Sequence, residues 1–329
     1  MTDSVTAVTG ASGFPGKRLC AALKEKGYKI RALLNDGEDT GYFEALGAQT
    51  HTGDVRDAGV AARLVDGAER VFHLAGVTSA VGTPDSVYWD RHVTATRTLL
   101  KAASGAGVRR LVYYSTAGVT GDVKDPPSDE SADYSSNDIY DITKAHGEKT
   151  ALASNGKGGM ETVVVRPTVL YGPGDMRRLA FFRKIVNGTF KMIGSGDTLV
   201  HPVYVDDAVE GMILACQSDK AAGKIYIIGG AEYLTLNEWV RIIAEAAGVD
   251  PPSARLPYYP VKAVSAVCEK LFTWFGLEPP LFRRKADFFI KNRAYKIDRA
   301  REDLGYSPKV GLEEGARRTI EWYRAEGLL

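Results

Sequence analysis

The chain has 329 residues, with 42 Lys plus Arg against 41 Asp plus Glu, 44% hydrophobic and 25% charged residues. At about 150 residues per domain this predicts two domains or one elaborated domain, with enough chain to bury a large core. A formal charge of +1 excludes a basic footprint for nucleic acid or a membrane surface, and the composition excludes disorder, collagen and a disulfide scaffold.

Cys20, Cys216 and Cys268 are far apart, with no C-x-x-C pair and no histidine at ligand spacing, so no metal site is encoded and a reduced cytoplasmic home is expected. Met1-Thr2-Asp3-Ser4 has neither a basic nor an apolar leader segment, so no export signal is expected. The apolar stretch 261–277 is interrupted by Lys262, Glu269 and Lys270, which predicts no membrane span.

Short β-branched runs alternate with helix-period segments over the first 165 or so residues, the pattern of a doubly wound parallel α/β sheet with crossover helices. Strands are predicted at 5–9, 29–34, 70–74, 111–115 and 162–166. Between the first two, Leu19, Ala22 and Leu23 recur at helical spacing before Gly27, a helix stop. A further strand is predicted at 224–228, so a second domain interrupts the first. The dinucleotide-binding part is expected at 1–169 plus about 203–230, and a smaller substrate domain at 170–202 plus about 231–329. The latter holds the turn Tyr171-Gly172-Pro173-Gly174-Asp175, a basic helix-like segment and a loop at 194–197. Prolines at 251–260 then break the chain ahead of Phe272, Trp274, Phe275, Phe282, Phe288 and Phe289.

Thr9-Gly10-Ala11-Ser12-Gly13-Phe14-Pro15-Gly16 lies where the first strand gives way to the first helix. Glycines there allow a tight turn and close approach of backbone to a pyrophosphate, which the helix N-terminus attracts. Pro15 suits a first helical turn but has no N–H to offer a phosphate. In such folds an acid at the end of the second strand holds the adenosine ribose, and an arginine accepts a 2′-phosphate. Here the expected acid position is Leu34, followed by Asn35 and Asp36, with Arg31 earlier in the strand. The cofactor is therefore NAD or NADP, with Asp36 leaning toward NAD. Gly53-Asp54-Val55 follows a further strand and presents Asp54 either to the adenine amino group or as a cap on its own loop.

Tyr140 and Lys144 share a face if helical. An ammonium beside a phenol favours the phenolate and makes the tyrosine a usable base near neutrality. A second copy, Tyr258 and Lys262, contains Pro260, which is expected to disrupt its helix. Tyr140 lies 24 residues after Thr116, at the end of a predicted strand, where an open sheet presents ligand groups. Ser115 and Thr116 compete to orient the substrate oxygen, and Thr116 is preferred.

The chain resembles the extended short-chain dehydrogenase/reductases, also called the NAD-dependent epimerase/dehydratase family, over nearly its whole length. The matching pieces are Thr9-Gly10-x-x-Gly13-x-x-Gly16, Phe72-His73-Leu74-Ala75, Ser115-Thr116-Ala117, Tyr140-x-x-x-Lys144, Arg166-Pro167 with Tyr171-Gly172-Pro173, Val205-Asp206-Asp207, and Leu304-Gly305-Tyr306-x-Pro308. The resemblance implies a Rossmann domain with a C-terminal substrate domain, hydride transfer to and from a nicotinamide, a homodimer, and a second role for Lys144 on the nicotinamide ribose. Candidate cofactor contacts are the turn residues Gly10, Ser12, Gly13, Phe14 and Gly16. Further along come Asn35, Asp54 and Val55, then Leu74, Ala75 and Gly76, and finally Lys144 and Pro167. His92 stands where the family pattern has asparagine, as a proton relay or a structural histidine.

Nucleotide-sugar relatives carry an arginine just before the Val-Asp-Asp element and often an asparagine after the strand-six arginine. Here these stretches read Leu199-Val200-His201-Pro202-Val203-Tyr204 and Pro167-Thr168-Val169. The 171–175 turn and the segment 293–306 are more similar to the dihydroflavonol reductase and 3β-hydroxysteroid dehydrogenase branch. The expected substrate is a small, largely apolar secondary alcohol or ketone, with the aromatic stretch 271–290 as pocket, core or dimer surface. Arg177, Arg178, Arg283, Arg284 and Lys285 are expected mostly as a solvated face, and otherwise as partners of an anionic substrate. Two alternatives stand beside this reading: a nucleotide-sugar 4-epimerase or dehydratase, and a dinucleotide sensor without chemistry.

Overall fold

Strand β1 (Val5–Thr9) is an interior strand of a seven-stranded sheet in which every neighbouring pair is parallel. The computed structural model describes residues 4–78, 82–275 and 286–329, without the side chains of Glu269, Lys270 and Thr273. Phe282, Arg283, Arg284 and Lys285 lie outside the described residues.

From β1 the chain runs outward through β2 (Lys29–Leu34) and β3 (Gln49–Thr52), then returns to the other side of β1 as β4 (Ala68–His73). Next come β5 (Arg110–Tyr114), β6 (Glu161–Pro167) and the edge strand Ile225–Ile228. The reversal of direction between β1 and β4 opens a crevice at their carboxyl ends, the place where a doubly wound sheet takes its ligand. Both faces of the sheet are covered, so the strands are apolar on both sides. Val8 faces Leu19 and Leu23 of α1 (Phe14–Glu25). Its neighbour Ala7 faces the opposite layer, with Leu64 of the helix Ala58–Val65 and Leu99 of the helix Ala95–Gly105.

After β6 the chain leaves the sheet and returns only at Ile225. The segments between and beyond form small two-stranded pairs, Val169–Tyr171 with Pro202–Tyr204, Leu199–Val200 with Leu234–Thr235, and Met192–Ile193 with Arg255–Leu256. Helices Leu179–Val186, Leu236–Ala247, Tyr258–Trp274 and Leu312–Ala325 surround them. The two late sequence motifs serve this join. Asp207 accepts the backbone N–H groups of Lys309 (2.8 Å) and Val310 (3.0 Å), and the Tyr306 hydroxyl donates to the Gly229 carbonyl (2.8 Å).

One expectation is corrected. Pro260 does not disrupt its segment, because it is the third residue of the helix Tyr258–Trp274. In a first turn the missing N–H has no intrahelical partner to lose. Tyr258 and Lys262 therefore do share a helix face, with Lys262 Nζ 5.5 Å from the tyrosine ring centroid.

Candidate active site

Helix α2 (Ile139–Leu152) starts at Asp138, whose carboxylate accepts the Tyr140 N–H at 3.0 Å. A short acidic cap of this kind stabilises a helix start by about 1 kcal/mol. The cap fixes where Tyr140 enters the helix, and Lys144 follows one turn later on the same face. Lys144 is only 3% exposed. Its ammonium donates to the Tyr114 carbonyl at 2.6 Å and lies 4.9 Å from the Tyr113 ring centroid. Burial pulls Lys144 down to about 8, against the opposing charge of Glu148.

Two hydroxyls compete at the end of β5, and the structure separates them. Ser115 is buried and donates to Glu148, which also receives Arg166 (Nη2 to Oε2, 2.8 Å) and the Tyr134 hydroxyl (2.9 Å). Both charges of the Glu148–Arg166 pair are almost fully enclosed. Thr116 is half-buried and accepts the Gly118 N–H at 3.0 Å. Glu148 carried no functional expectation from the sequence. Its place one turn beyond Lys144 was the available signal.

The glycine-rich turn is held against the loop after β4. Gly10 has φ 66°, and a Cβ there would lie 2.7 Å from the Ala75 nitrogen and 2.8 Å from the Leu74 oxygen. Thr9 Oγ1 accepts the Ala75 N–H at 3.1 Å. A Cβ on Gly76 would stand 2.9 Å from the His92 ring and 3.9 Å from Lys144 Nζ, so the loop after β4 runs past Lys144 at Gly76. Gly13 caps α1 with no side-chain bond, no acid occupies the first turn, and Pro15 falls in the first two helical positions. An uncapped positive helix end at the carboxyl edge of β1, walled by glycines where a side chain would collide, fits a dinucleotide pyrophosphate.

The adenosine end departs from expectation. Glu38, two residues past Asp36, folds back so that its carboxylate accepts the Asn35 backbone N–H and side-chain amide, both at 2.9 Å. Burial works against it, but bonds from Asn35 and Ser12, with the charge of Lys17, hold Glu38 below the usual carboxylate range. Arg31 is not available to a 2′-phosphate. Its guanidinium is spent on Gln49 and on the carbonyls of Leu64 and Asp66, at the end of the sheet where β4 begins. Asp54 accepts the Arg56 N–H (2.9 Å) and side chain (2.7 Å) together with Arg91 (2.8 Å). Arg56 holds it low while burial opposes, so its carboxylate is committed to its own loop and the helix beyond. Val55, next to Asp54, and Pro167, the last residue of β6, are both buried.

His92 lies in a single π-helical turn, Asp90–Thr94, a feature that concentrates at functional sites. His92 Nδ1 shares a hydrogen bond with the Thr143 hydroxyl (2.8 Å), and Nε2 lies at hydrogen-bond distance from both the Val77 N–H (3.2 Å) and the Val77 carbonyl (3.0 Å). Burial, helped by the Lys144 charge, lowers His92 to about 3, so it is neutral. Its ring stands edge-on to Tyr140 at 5.3 Å.

Arg177 is exposed, as a solvated face predicts, whereas Arg178 is half-buried. Arg177 pairs with the fully buried Asp175 (2.9 Å), and its guanidinium lies 5.6 Å from the centroid of Phe14 in the glycine-rich turn. It is close enough to feel the charges of Tyr114 and Tyr140. Arg178 is half-buried over Phe288. Among the described residues no His, Cys, Asp and Glu cluster could hold a metal ion, and no helix is long and apolar enough to cross a membrane.

The pattern of the NAD dependent epimerase/dehydratase family matches residues 6–229. A 2-alkyl-3-oxoalkanoate reductase of Stenotrophomonas maltophilia is 32% identical over 325 residues, covering 94% of this chain and 97% of that protein. A 3β-hydroxysteroid dehydrogenase/Δ5→4-isomerase of Mycobacterium tuberculosis is 30% identical, covering 96% and 89%. The solved structure of MoeE5 with UDP-glucuronic acid and NAD superposes with a TM-score of 0.76 at 26% identity, covering 98% and 99%. The chain belongs to the NAD dependent epimerase/dehydratase family, as a dehydrogenase/reductase of the extended short-chain type.

Proposed function

We propose that the protein interconverts a secondary alcohol and a ketone, with Tyr140 moving the hydroxyl proton, Lys144 supporting the phenolate, and Thr116 orienting the substrate oxygen. The observation that carries this is the buried Lys144 ammonium, anchored on the Tyr114 carbonyl at 2.6 Å one helical turn from Tyr140. A charge held there lowers the cost of the phenolate when Tyr140 gives up its proton. Ser115 is committed to Glu148, which leaves the hydroxyl role to Thr116. Bound nicotinamide supplies or accepts the hydride. Gly10, Gly13 and the first turn of α1 would seat its pyrophosphate, and Gly76 and Lys144 would meet its ribose.

Glu38 favours NAD over NADP, because a carboxylate beside Asn35 and Ser12 would bond ribose hydroxyls and repel a 2′-phosphate. An apolar ketone suits this site better than a nucleotide sugar. At the element where nucleotide-sugar enzymes place an arginine, His201 is buried and bonded to the Gly230 carbonyl at 3.0 Å. The names of the two relatives, an oxoalkanoate reductase and a hydroxysteroid dehydrogenase, agree with this. We assign 170–202 and 231–329 to the substrate side. A cytoplasmic home and a homodimer complete the proposal.

The test is a screen of secondary alcohols and ketones at the nicotinamide absorbance band with wild type, Tyr140→Phe and Lys144→Met. Both variants are expected to lose at least about 100-fold in kcat/KM. Activity of Tyr140→Phe within a few-fold of wild type overturns the assignment. Turnover of a nucleotide sugar without net absorbance change moves the protein to the epimerase side.

A further inference from the structure

Arg178 and Arg293 converge on one aromatic ring. Their guanidinium carbons lie 5.5 and 5.9 Å from the ring centroid of Phe288, and both side chains are half-buried. Neither has a carboxylate or hydrogen-bond partner among the described residues. The acid nearest to Arg178, Asp175, already spends both carboxylate oxygens on Arg177, at 2.9 and 3.3 Å. Two positive groups are thus gathered half out of bulk water, with Asp175 the one carboxylate among the described residues that acts on Arg178, and it is already paired with Arg177. That arrangement is costly unless a ligand supplies the anion.

Chain neighbours of the pair touch the site described above. Arg177, next to Arg178, lies over Phe14 of the glycine-rich turn. Tyr295, two residues from Arg293, donates its hydroxyl to the Ala117 carbonyl at 3.1 Å, next to Thr116. On the other side Phe288 continues into an apolar wall, with Phe181 at 6.3 Å and Phe289 at 5.6 Å, and Phe190 beyond them at 5.5 Å from Phe181. Paired guanidinium groups recognise planar oxyanions by forked hydrogen bonds, and an aromatic wall takes an apolar chain.

We infer that Arg178 and Arg293 bind an anionic group of the substrate, a carboxylate or a phosphate, while Phe288 and its aromatic neighbours hold the apolar portion that carries the reacting carbon. This rests on the oxidoreductase reading above and narrows its substrate to amphiphilic anions.

The test is calorimetric titration of the NADH-loaded protein with two matched pairs, octanoate against methyl octanoate and UDP against uridine, in wild type, Arg178→Gln, Arg293→Gln and the corresponding Lys variants. At least tenfold tighter binding of the charged member of one pair is expected, lost in both Gln variants and partly restored by Lys. Preference within the octanoate pair points to a carboxylate, and within the UDP pair to a phosphate. Equal binding of charged and neutral members in both pairs, or a charge preference that survives both Gln substitutions, overturns the inference. NADH affinity, expected to be the same in all variants, reports that they are folded. Oxidation of 2-octanol, which has no charge, by wild type and Tyr140→Phe tests the oxidoreductase reading separately from the calorimetry, so the two readings fail independently.

Discussion

Ser115 donates its hydroxyl hydrogen to Glu148, and this bond separates two adjacent hydroxyls into a buried, committed one and a half-buried one. Thr116→Val is therefore expected to lower kcat/KM by about 10- to 100-fold with the unfolding midpoint unchanged. Ser115→Ala removes one donor from the buried Glu148, leaving Arg166 and Tyr134, and is expected to cost about 1–3 kcal/mol of stability. Paired kinetics and urea unfolding of the two variants check both halves. Equal kinetic losses with equal stability would show that the division is wrong.

Lys144 gives a stability signature of its own. Its folded value of about 8 lies below the 10.5 of an exposed lysine because of burial. Below about 8 both folded and unfolded chains hold the proton, and the full burial cost is present. Between about 8 and 10.5 the unfolded chain still holds the proton that the folded chain has released, so stability contributed by this group rises with pH across that window. Lys144→Met is expected to stabilise the protein more at pH 7 than at pH 10, measured by urea unfolding. A pH-independent difference would place the ammonium in solvent.

His73 and His92 act in the opposite pH range. Burial lowers each to about 3, aided by the charge of Lys144. Their contribution is intact above about 6.5, where both states are neutral, and is lost as pH falls from 6.5 toward 3, because only the unfolded chain then binds protons. Each is expected to cost about 2 kcal/mol between pH 7 and pH 5. The acid-induced loss in His92→Asn should be smaller than in wild type by one such share. Identical acid sensitivity of variant and wild type would show that His92 already titrates in the folded protein.

Removing the carboxylate at Glu38 should relax the choice of cofactor. Glu38→Gln keeps the amide contacts of Asn35 and Ser12 possible while deleting the charge that opposes a 2′-phosphate. The ratio of kcat/KM for NADP over NAD is expected to rise at least tenfold. An unchanged ratio would remove Glu38 from the cofactor site.

Local chemistry made much of the site legible in the chain alone. β1 and β2 follow from β-branched runs ended by turn residues, and α1 follows from glycines that only a tight turn needs. Tyr140 and Lys144 share a face because helical spacing fixes it, whatever surrounds the helix. What needed the tertiary structure were the relations between residues distant in sequence. Pro260 could be read as a breaker until its place in a first turn was known. Ser115 still competed with the preferred Thr116 until Glu148, 33 positions later, took its hydroxyl. Glu38 could not be preferred to Asp36 until the loop folded back onto Asn35, and Arg31 looked available until its bonds to Leu64 and Asp66 were seen. Arg178 and Arg293 are 115 positions apart, and only packing around Phe288 makes them neighbours. Sequence spacing encodes contacts within one element, where backbone geometry sets the distance. Burial, charge pairing and the sharing of a hydroxyl depend on which elements meet, and the packed chain decides that.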